Sequence, residues 1–320
     1  MTFRRYVVLR NPVSTGIHRA DRRIAALQQL EAGRPFQVMN TLPGGREPNA
    51  ALLRQCANEL GKDTLLCVAA GDGTINMVLD ILLRDPALPD AARDTPILPL
   101  WCGNANDLAY MLNGWPSLAS GRRLLRKGRV VTIYPLVCTM TAPDGTVRTH
   151  LAASYASFGW SAFSSRELER TMRSKHSLVH RIAISRFGLE FIEVWGRHLL
   201  HAPRFTISDA TGHKTIFERL LINGSRFAKI GAIPLRLTDR YFYRATAEQK
   251  SLLMLLYHIA EVINDRRGRR FAATEDGFTV HNSIWAQFDG EPVKVAKGTR
   301  ISVSIAKRPF HALTTRLRAP

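Results

Sequence analysis

Residues 65–76 constrain the fold more than any other segment, because an unbroken apolar run ends there in Gly-Asp-Gly-Thr and leads directly into a helical pattern. A short run that is wholly apolar is typical of a strand buried on both faces of a parallel sheet. Residues 97–109 repeat this arrangement around a turn that contains Gly103. Two strand–glycine–helix units in succession predict an α/β domain.

The whole N-terminal part, residues 1–128, follows the same alternation of strands and helices. Strands are predicted at four short apolar runs: 6–9, 36–39, 64–69 and 97–100. Helical patterns follow them, around 24–30, 49–60, 75–83, 106–112 and 118–126. We therefore predict a doubly wound α/β domain over this part of the chain.

From residue 129 onward the pattern changes to longer strand-like runs. The runs 130–140 and 147–158 are separated by Pro-Asp-Gly, which is a hairpin signal. Helical stretches are predicted at 162–200 and 249–263, with further short strands around them. This pattern predicts a second domain over 129–307 that is mostly antiparallel, with a helical insertion. The segment 308–320 is expected to return to the first domain.

The net charge narrows the class of partner. The chain has 45 Lys and Arg residues against 26 Asp and Glu residues, a formal net charge of +19, which attracts polyanions. Basic residues alternate with apolar ones over 166–186, and a second basic run covers 266–270. Such segments suit peripheral contact with an anionic membrane, although an ordinary solvated helix face has the same pattern. Because no RNA-binding signature or helix-turn-helix spacing is present, we expect no specific nucleic-acid partner.

Several classes of protein are excluded. The longest apolar run, 252–263, contains His258 and Glu261 and falls short of the roughly 18 apolar residues of a membrane span. The N-terminus is too short and too charged for a signal peptide. The four cysteines form no CxxC pair and are expected to be reduced core residues: Cys56, Cys67, Cys102 and Cys138. We expect a cytoplasmic protein that acts at the inner face of the membrane.

The turn at 71–74 is the strongest candidate for chemistry. Glycines let backbone N–H groups approach a phosphate closely, and the N-terminus of the following helix adds positive partial charge. Asp72 is expected at the carboxyl end of a parallel strand, where α/β sheets bind ligands. The alternative is that Asp72 or Thr74 serves only as a helix N-cap. No Walker phosphate-binding motif occurs.

Two further turns carry polar side chains. In the second glycine turn, Asn104 and Asn106 supply amide donors, and Asp107 is able to cap the next helix. In the second half, Asp289 and Glu291 flank a glycine between two strands, so both carboxylates are able to face a cleft. The alternative for the latter segment is an ordinary Asp-Gly hairpin turn.

In order and spacing, four motifs together resemble the catalytic family of diacylglycerol kinases, to which sphingosine and ceramide kinases are similar. They are Asn11-Pro12, residues 71–74, residues 103–109 and residues 289–291. Residues 158–160 and 222–224 also resemble strand markers of that family's second domain.

The resemblance implies a nucleotide-binding α/β domain and a lipid-binding β-sandwich, with the active site in the cleft between them. It implies an ATP-dependent lipid kinase of phospholipid metabolism, with ATP and Mg²⁺ as cofactors. It also implies the residues that contact ATP: Asn11, Thr41, Gly71, Asp72, Gly73, Thr74, Asn76, Gly103, Asn104, Asn106 and Asp107.

The same resemblance assigns roles to carboxylates. Glu291 matches the proton acceptor for the lipid hydroxyl, while Asp72 and Asp289 match groups that bind or orient Mg²⁺ and the γ-phosphate. Asp239 resembles an aspartate that holds a second, structural Mg²⁺. The residues alone leave open which of Glu291, Asp289 and Asp72 is the catalytic base.

The sequence departs from the family pattern at four places, one of which is the unusual Trp101-Cys102 pair before Gly103. Ala70 replaces a glycine, so its methyl group is expected to crowd the nucleotide. Asn104 stands where a threonine is typical, and its amide is still able to donate to a phosphate. Arg240 replaces the glycine that normally follows Asp239, which puts the structural metal site in doubt.

Two other functions compete with the lipid kinase. An NAD kinase also uses a Gly-Asp-Gly-Thr turn, and a non-catalytic protein that binds anionic lipid or nucleic acid would rely on the positive charge alone. His176 and His180 have a zinc-compatible spacing without an evident third ligand. The sequence leaves open the lipid acceptor (diacylglycerol, a sphingoid base, ceramide or phosphatidylglycerol) and the oligomeric state.

Overall fold

The structure is a computed structural model, and it describes residues 3–14, 16–103, 106–113, 118–173, 204–224, 226–227, 231–232, 238–248 and 272–315. The chain divides into two compact units, each formed by segments that are separate in sequence. The first unit comprises Met1–Pro135, Gly224–Arg240 and Ala306–Pro320, and the second comprises Leu136–Asn223 and Tyr241–Ile305. The predicted helix at 249–263, the basic run at 266–270, Asn104, His176 and His180 all lie outside the described residues.

The first unit is built on one six-stranded sheet. Its strands are β1 (Arg5–Arg10), β2 (Phe36–Asn40), β3 (Thr64–Ala70), β4 (Pro96–Trp101), β5 (Arg129–Ile133) and β20 (Phe310–Thr314). They lie in the order β2-β1-β3-β4-β20-β5. The first four strands are parallel, and β20 pairs parallel with β4 and antiparallel with β5.

Helices cover this sheet on both faces. They are α1 (Ile17–Leu30), α2 (Arg46–Gln55), α3 (Asp72–Arg84), α4 (Asp90–Arg93), α5 (Asp107–Asn113) and α6 (Leu118–Lys127), with a 3₁₀ turn at Ala57–Glu59. In α1, the buried residues recur every three or four positions, at Ile17, Ala20, Ile24 and Leu27. Every residue of β3 is buried, as expected for a strand covered on both sides. The predicted doubly wound α/β domain is confirmed.

The second unit contains two six-stranded antiparallel sheets and the helix α7 (Trp160–Arg173). One sheet consists, in spatial order, of β10 (Gly212–Ile216), β9 (Phe205–Asp209), β16 (Glu275–Val280), β19 (Arg300–Ile305), β6 (Leu136–Thr141) and β7 (Val147–Ala152). The other sheet consists, in spatial order, of β15 (Ala272–Ala273), β14 (Phe242–Ala247), β11 (Glu218–Ile222), β8 (Tyr155–Gly159), β17 (Ile284–Phe288) and β18 (Glu291–Val295).

Side chains from both sheets form one apolar core. Phe158 and Phe288 from one sheet and Phe278 from the other pack edge to face, with ring centroids 5.1 Å apart for Phe158 and Phe278. The strands at Glu275–Val280 and Arg300–Ile305 alternate buried and more exposed residues, which is the pattern of two sheets packed face to face. The predicted mostly antiparallel β-sandwich is therefore confirmed.

The domain limits differ from the predicted ones. The run 130–140 breaks at Tyr134-Pro135 into two strands that belong to different units, because proline has no N–H group to continue the strand ladder. Residues 129–135 and 224–240, which we expected in the second domain, lie in the first unit. The strands β14 and β20 were not predicted, and β20 lies in the first unit's sheet.

Candidate functional site

The loops that follow the parallel strands lie at one edge of the first unit's sheet, because parallel strands end on the same side. The amide of Asn11, just after β1, donates to the carbonyl of Ala69 at 2.9 Å. The amide of Thr41, just after β2, donates to the carbonyl of Arg10 at 2.8 Å. The turns that begin at Gly71 and Gly103 follow β3 and β4. The folding of the sheet thus gathers four predicted nucleotide-binding segments at its carboxyl edge.

The two glycine turns touch each other. A Cβ atom placed on Gly103 would lie 2.6 Å from the Cα of Gly71, and one placed on Gly71 would lie 3.2 Å from the Cα of Gly103. Real Cβ atoms essentially never lie within 3.0 Å of another atom, so Gly103 requires glycine, whereas a Cβ on Gly71 would force its neighbour to move by a few tenths of an ångström. The loop before α1 packs onto the same place, where the amide of Gly16 donates to the carbonyl of Cys102 at 2.8 Å.

The helix α3 begins at this contact. Its N-cap is Gly71, and the amide of Ile75 donates to the Gly71 carbonyl at 3.1 Å. The alternative in which Asp72 or Thr74 is the N-cap is therefore wrong. The amides of Asp72, Gly73 and Thr74 precede the first intrahelical bond, and such groups at a helix N-terminus attract anions.

The donor set at this turn fits a nucleotide held with a magnesium ion. Backbone amides and the helix N-terminus favour phosphate oxygens. The Asp72 carboxylate, half-buried in the first turn of α3, is an oxygen ligand of the kind that Mg²⁺ prefers. Within the described ranges, no group of three or more His, Cys, Asp and Glu residues is arranged to hold a metal ion. Mg²⁺ in kinases needs only one or two carboxylates, since phosphate oxygens and water complete its coordination.

The side-chain amide group of Asn11 is hydrogen-bonded within the protein through both its nitrogen and its oxygen. Its Nδ2 donates to the Thr74 hydroxyl at 3.0 Å, and its Oδ1 accepts the Val13 amide at 3.2 Å. The side chain therefore ties the loop after β1 to the first turn of α3. Its predicted contact with ATP stays a prediction.

Asn106 has a similar arrangement in the second turn. Its Oδ1 accepts the Gly103 amide at 2.8 Å, and its Nδ2 donates to the Gly103 carbonyl. The residue adopts a left-handed backbone conformation with φ of 55°, which asparagine tolerates better than most residues. Its side chain closes the turn on itself and so fixes the position of Gly103.

Other predicted nucleotide contacts are more deeply buried. Asn76 and Asp107 are 8% and 2% exposed, on α3 and α5 respectively. Ala70 is fully buried within the sheet, and the expectation that its methyl group crowds the nucleotide stays a prediction. The predicted roles of Asn76 and Asp107 stay predictions.

In the second unit, Asp289 and Gly290 form a two-residue hairpin turn. Their φ angles of 49° and 88° are both positive, as in the turn type favoured for such hairpins, and the flanking Phe288 and Glu291 are paired. The predicted Asp-Gly hairpin is thus present. Glu291 is exposed at the start of β18, and Asp289 is 6% exposed.

The carboxylate of Asp289 is surrounded by backbone donors. Its Oδ2 accepts the amide of Ala153 at 2.6 Å, and its Oδ1 accepts the amides of Ser154 and Tyr155 at 2.9 and 3.0 Å. Such charge-assisted bonds are stronger than bonds between neutral groups. They fix the carboxylate within the second unit.

Asp239 and its neighbour are both described. Asp239 is half-buried, while the guanidinium of Arg240 lies 4.4 Å from the Tyr134 ring centroid and donates to its hydroxyl at 2.5 Å. Arg240 thus has a packing role of its own beside Asp239. The structural Mg²⁺ at Asp239 stays a prediction.

Two arginines near the carboxyl edge were not among the predicted site residues. Arg10 forms two hydrogen bonds to the Asp21 carboxylate, at 2.6 and 2.9 Å, and these lower the pKa of that carboxyl. Arg23 donates to the Trp101 carbonyl at 3.1 Å, and burial lowers the pKa of its guanidinium. Arg10 could have been found from the sequence, because it directly follows the apolar run of β1.

The cysteine prediction is confirmed, since all four are free and buried. Burial raises the pKa of Cys56 to about 11 and those of Cys67 and Cys102 to about 12. Such thiols are protonated and unreactive at neutral pH. As for membrane spans, no helix in the described ranges has both the length and the apolar character to cross a bilayer.

Comparison with known proteins gives a family model that matches part of the first unit, and similar solved structures that cover nearly the whole chain. Residues 5–134 match the family model of the diacylglycerol kinase catalytic domain. No curated protein matches the sequence.

Among solved structures, a diacylglycerol kinase from Bacillus anthracis str. Sterne is similar over 99% of both chains, with 12% identity and a TM-score of 0.62. Another structure from that organism, named only provisionally as a diacylglycerol kinase, has 13% identity and a TM-score of 0.65 over 99% of both chains. Yeast NADH kinase, complexed with NADH, is similar over 98% of this chain and 84% of that one, with 10% identity and a TM-score of 0.51. At these identities the likeness establishes the two-domain fold.

Proposed function

We propose that this chain, whose residues 5–134 carry a diacylglycerol kinase catalytic domain, is an ATP-dependent lipid kinase. It would transfer the γ-phosphoryl group of ATP to the hydroxyl of a lipid alcohol, such as a diacylglycerol or a sphingoid lipid. The match to a kinase family supports phosphoryl transfer. We propose in addition that the acceptor of the phosphoryl group is a lipid.

The observation that carries the proposal is the contact of Gly71 with Gly103 at the N-terminus of α3. This contact brings the first amides of the helix and the Asp72 carboxylate to the carboxyl edge of a parallel sheet, where α/β proteins bind nucleotides. Both turns lie within residues 5–134, which match the family model. The phosphates of a nucleoside triphosphate would meet the positive partial charge of these amides, and its bound cation would meet the Asp72 carboxylate.

In the proposed reaction, the lipid hydroxyl oxygen attacks the γ-phosphorus as the bond to the β–γ bridging oxygen breaks and ADP leaves. The α3 amides hold the phosphates, and Asp72 would hold the magnesium ion. Bound Mg²⁺ supplies neutralisation of charge on the β- and γ-oxygens. The exposed carboxylate of Glu291 would accept the hydroxyl proton as general base and release it to water.

A second acceptor has an observation in its favour. The fold is similar to that of yeast NADH kinase, with a TM-score of 0.51. NAD(H) therefore belongs among the acceptors tested. If the phosphorylated dinucleotide formed and no lipid product did, NAD(H) would be the acceptor in place of a lipid.

The test is phosphorylation of a panel of lipid alcohols in mixed micelles by radiolabelled Mg-ATP, with NAD⁺ and NADH as further acceptors. We expect one labelled lipid product with the wild type. In Glu291→Gln and Asp72→Asn, we expect a rate at least about 100-fold lower, as for loss of a general base or of a cation ligand.

Matched controls separate these roles from a general change of charge. Glu275→Gln removes another exposed glutamate of the second unit, and Asp63→Asn removes an exposed aspartate of the first. Both controls should retain wild-type rates. Full activity of Glu291→Gln would contradict its role as base, and absence of every product would contradict the kinase proposal.

We further propose peripheral contact with anionic membranes through the basic segments at 166–186 and 266–270. Within the first segment, the Arg166 guanidinium lies 4.5 Å from the Trp285 ring centroid and bonds to Glu167 at 2.7 Å, so its charge is engaged within the unit. The remaining basic residues carry this proposal.

Flotation with vesicles containing phosphatidylserine tests the contact. Binding should fall with rising salt, and it should fall further in Arg266→Ala/Arg267→Ala, since each Lys or Arg near the surface adds about 1 kcal/mol. The matched control, Arg4→Ala/Lys62→Ala, removes two highly exposed charges elsewhere and should bind as the wild type does. Binding that ignores both salt and the arginines would overturn this proposal.

A further inference from the structure

The turn before β8 is held by the buried carboxylate of Asp289. Three consecutive amides, those of Ala153, Ser154 and Tyr155, converge on its two oxygens at 2.6–3.0 Å. In return, the Asp289 amide donates to the Tyr155 carbonyl at 3.0 Å. Consecutive backbone amides that point to one place form an anion-binding concavity, and here its anion is a side chain of the same unit.

Asn223 holds the same turn from the neighbouring strand. Its Nδ2 donates to the Ala153 carbonyl at 3.1 Å, and its backbone amide donates to the Ser154 carbonyl at 2.8 Å. Asn223 is 1% exposed and directly follows β11. Because β8 lies between β11 and β17 in the sheet, the turn is bonded on both sides.

From this geometry we infer that Asp289 and Asn223 are positioning residues, which clasp the turn at 153–155 and thereby fix the hairpin that presents Glu291. This inference rests on the proposed function for the role of Glu291. Asp289 lies two residues before Glu291 in the turn itself, so any movement of its carboxylate moves the hairpin. The clasp also gives a structural reason for the Ile222-Asn223-Gly224 segment, which the proposed chemistry does not use.

The same geometry argues against a Mg²⁺ ligand at Asp289. Three N–H groups direct positive partial charge at its two oxygens, which disfavours a cation at the same place. Mg²⁺ also requires near-octahedral coordination at short distances, which a carboxylate fixed by three backbone bonds adopts only if those bonds break. Thus Asp72 remains as the cation ligand of the proposed reaction.

The first test does not depend on activity. Hydrogen–deuterium exchange is measured over residues 152–156 in the wild type, Asp289→Asn and Asn223→Ala, without Mg²⁺, with Mg²⁺ alone and with Mg-ATP. Asparagine tolerates the left-handed backbone at 289 but keeps only one carboxamide oxygen as acceptor. We expect exchange at least about 10-fold faster in Asp289→Asn, which loses a hydrogen bond to a charged group. In Asn223→Ala we expect exchange roughly 2- to 10-fold faster, because that change removes a bond between neutral groups. Mg²⁺ alone should have no effect. Unchanged exchange in either variant, or protection in the wild type that requires Mg²⁺, would overturn the clasp.

The second test measures positioning through Glu291. Rates are measured for Asp289→Asn, Glu291→Gln and the double variant. We expect Asp289→Asn to lower kcat about 10-fold. The KM for ATP and the Mg²⁺ concentration that gives half-maximal rate should stay unchanged. The double variant should be no slower than Glu291→Gln alone, because both changes remove the same function. Additive losses, or a several-fold rise in the Mg²⁺ requirement, would overturn positioning through Glu291.

The two tests also separate this inference from the proposed function. A wild-type protein without lipid product would refute the lipid kinase, and the exchange measurement would still decide the clasp.

Discussion

The backbones of Gly71 and Gly103 are in direct contact, such that a Cβ on Gly103 would lie 2.6 Å from the Cα of Gly71. The two residues follow neighbouring parallel strands, β3 and β4, whose paired ends bring the turns together. A contact of this kind leaves no room for any side chain. The contact therefore fixes the distance between the two turns.

We expect Gly103→Ala to lower the free energy of unfolding by about 2 kcal/mol, because the added methyl group must push the two turns apart. Nucleotide binding should weaken at least about 10-fold, since the amides at the start of α3 move with the turn. Calorimetry with Mg-ATP and thermal unfolding measure both effects. Gly277→Ala is the control, because a Cβ there would meet its nearest atom only at 3.8 Å. Equal effects of the two changes would contradict a specific role for the contact.

The bond between Asn11 and Thr74 predicts coupling between two distant segments. Asn11→Ala and Thr74→Val each remove one partner of the 3.0 Å hydrogen bond. In a double-mutant cycle of unfolding free energies, we expect a coupling of about 1 kcal/mol, the usual net value of one hydrogen bond. Independent, additive effects would show that the bond does not stabilise the loop.

The buried carboxyl of Glu218 predicts a pH-dependent stability. Glu218 accepts the amide of Ser161 at 3.0 Å and the Ser161 hydroxyl at the start of α7, and burial raises its pKa to about 8. Between pH 4.5 and 8, the folded state holds this proton while the unfolded state has released it. Stability should therefore fall as pH rises, by at most about 1.4 kcal/mol per pH unit from this group.

Glu218→Gln should remove this part of the pH dependence, because the amide stays neutral at every pH in that range. Unfolding by urea, measured from pH 5 to 8.5, gives the slope for each variant. The exposed Glu275→Gln should retain the wild-type slope. A wild-type slope in Glu218→Gln would show that Glu218 is already ionised in the folded protein.

A buried ion pair connects the two sheets of the second unit. Arg219 on β11 forms two hydrogen bonds to Asp276 on β16, one of them from Nε at 2.9 Å. Both residues are buried, at 2% and 6% exposed. We expect Arg219→Met to lower the unfolding free energy by about 3–5 kcal/mol, because it leaves the buried Asp276 with only the half-exposed Arg244 as cationic partner and takes Arg219 away from Asp209.

The double variant Arg219→Met/Asp276→Leu should recover part of this loss, since it removes the two most deeply buried charges together and leaves only Asp209 and the half-exposed Arg244. Thermal unfolding of the two variants makes the comparison. If the double variant were less stable than Arg219→Met, the explanation by a buried Asp276 charge that has lost its main partner would be wrong.

The fold class was predictable because it depends on patterns within short segments. The apolar run of β3 and the glycine turn after it predict a buried parallel strand followed by a helix, and the structure has β3 and α3 in those places. The Asp-Gly pair at 289–290 similarly predicts a hairpin, since the left-handed conformation it needs is a local preference.

The strand β20 and the division of the chain were not predictable in the same way. Residues 310–314 form a short strand whose place depends on a gap between β4 and β5, which are separated from it by most of the second unit. The run 130–140 likewise gave no sign that its two halves belong to different units. Pairing between segments so far apart in sequence depends on tertiary packing rather than on local preference.

By itself, the sequence determined which residue types follow each strand of the first unit, because strand, turn and helix are encoded by neighbouring residues. Only the tertiary structure decided what those side chains bind. Asn11 bonds to Thr74, 63 residues away, and Asp289 bonds to amides more than 130 residues before it. A hydrogen bond needs its donor and acceptor within about 3 Å in the right direction, and only the folded chain brings such distant groups together.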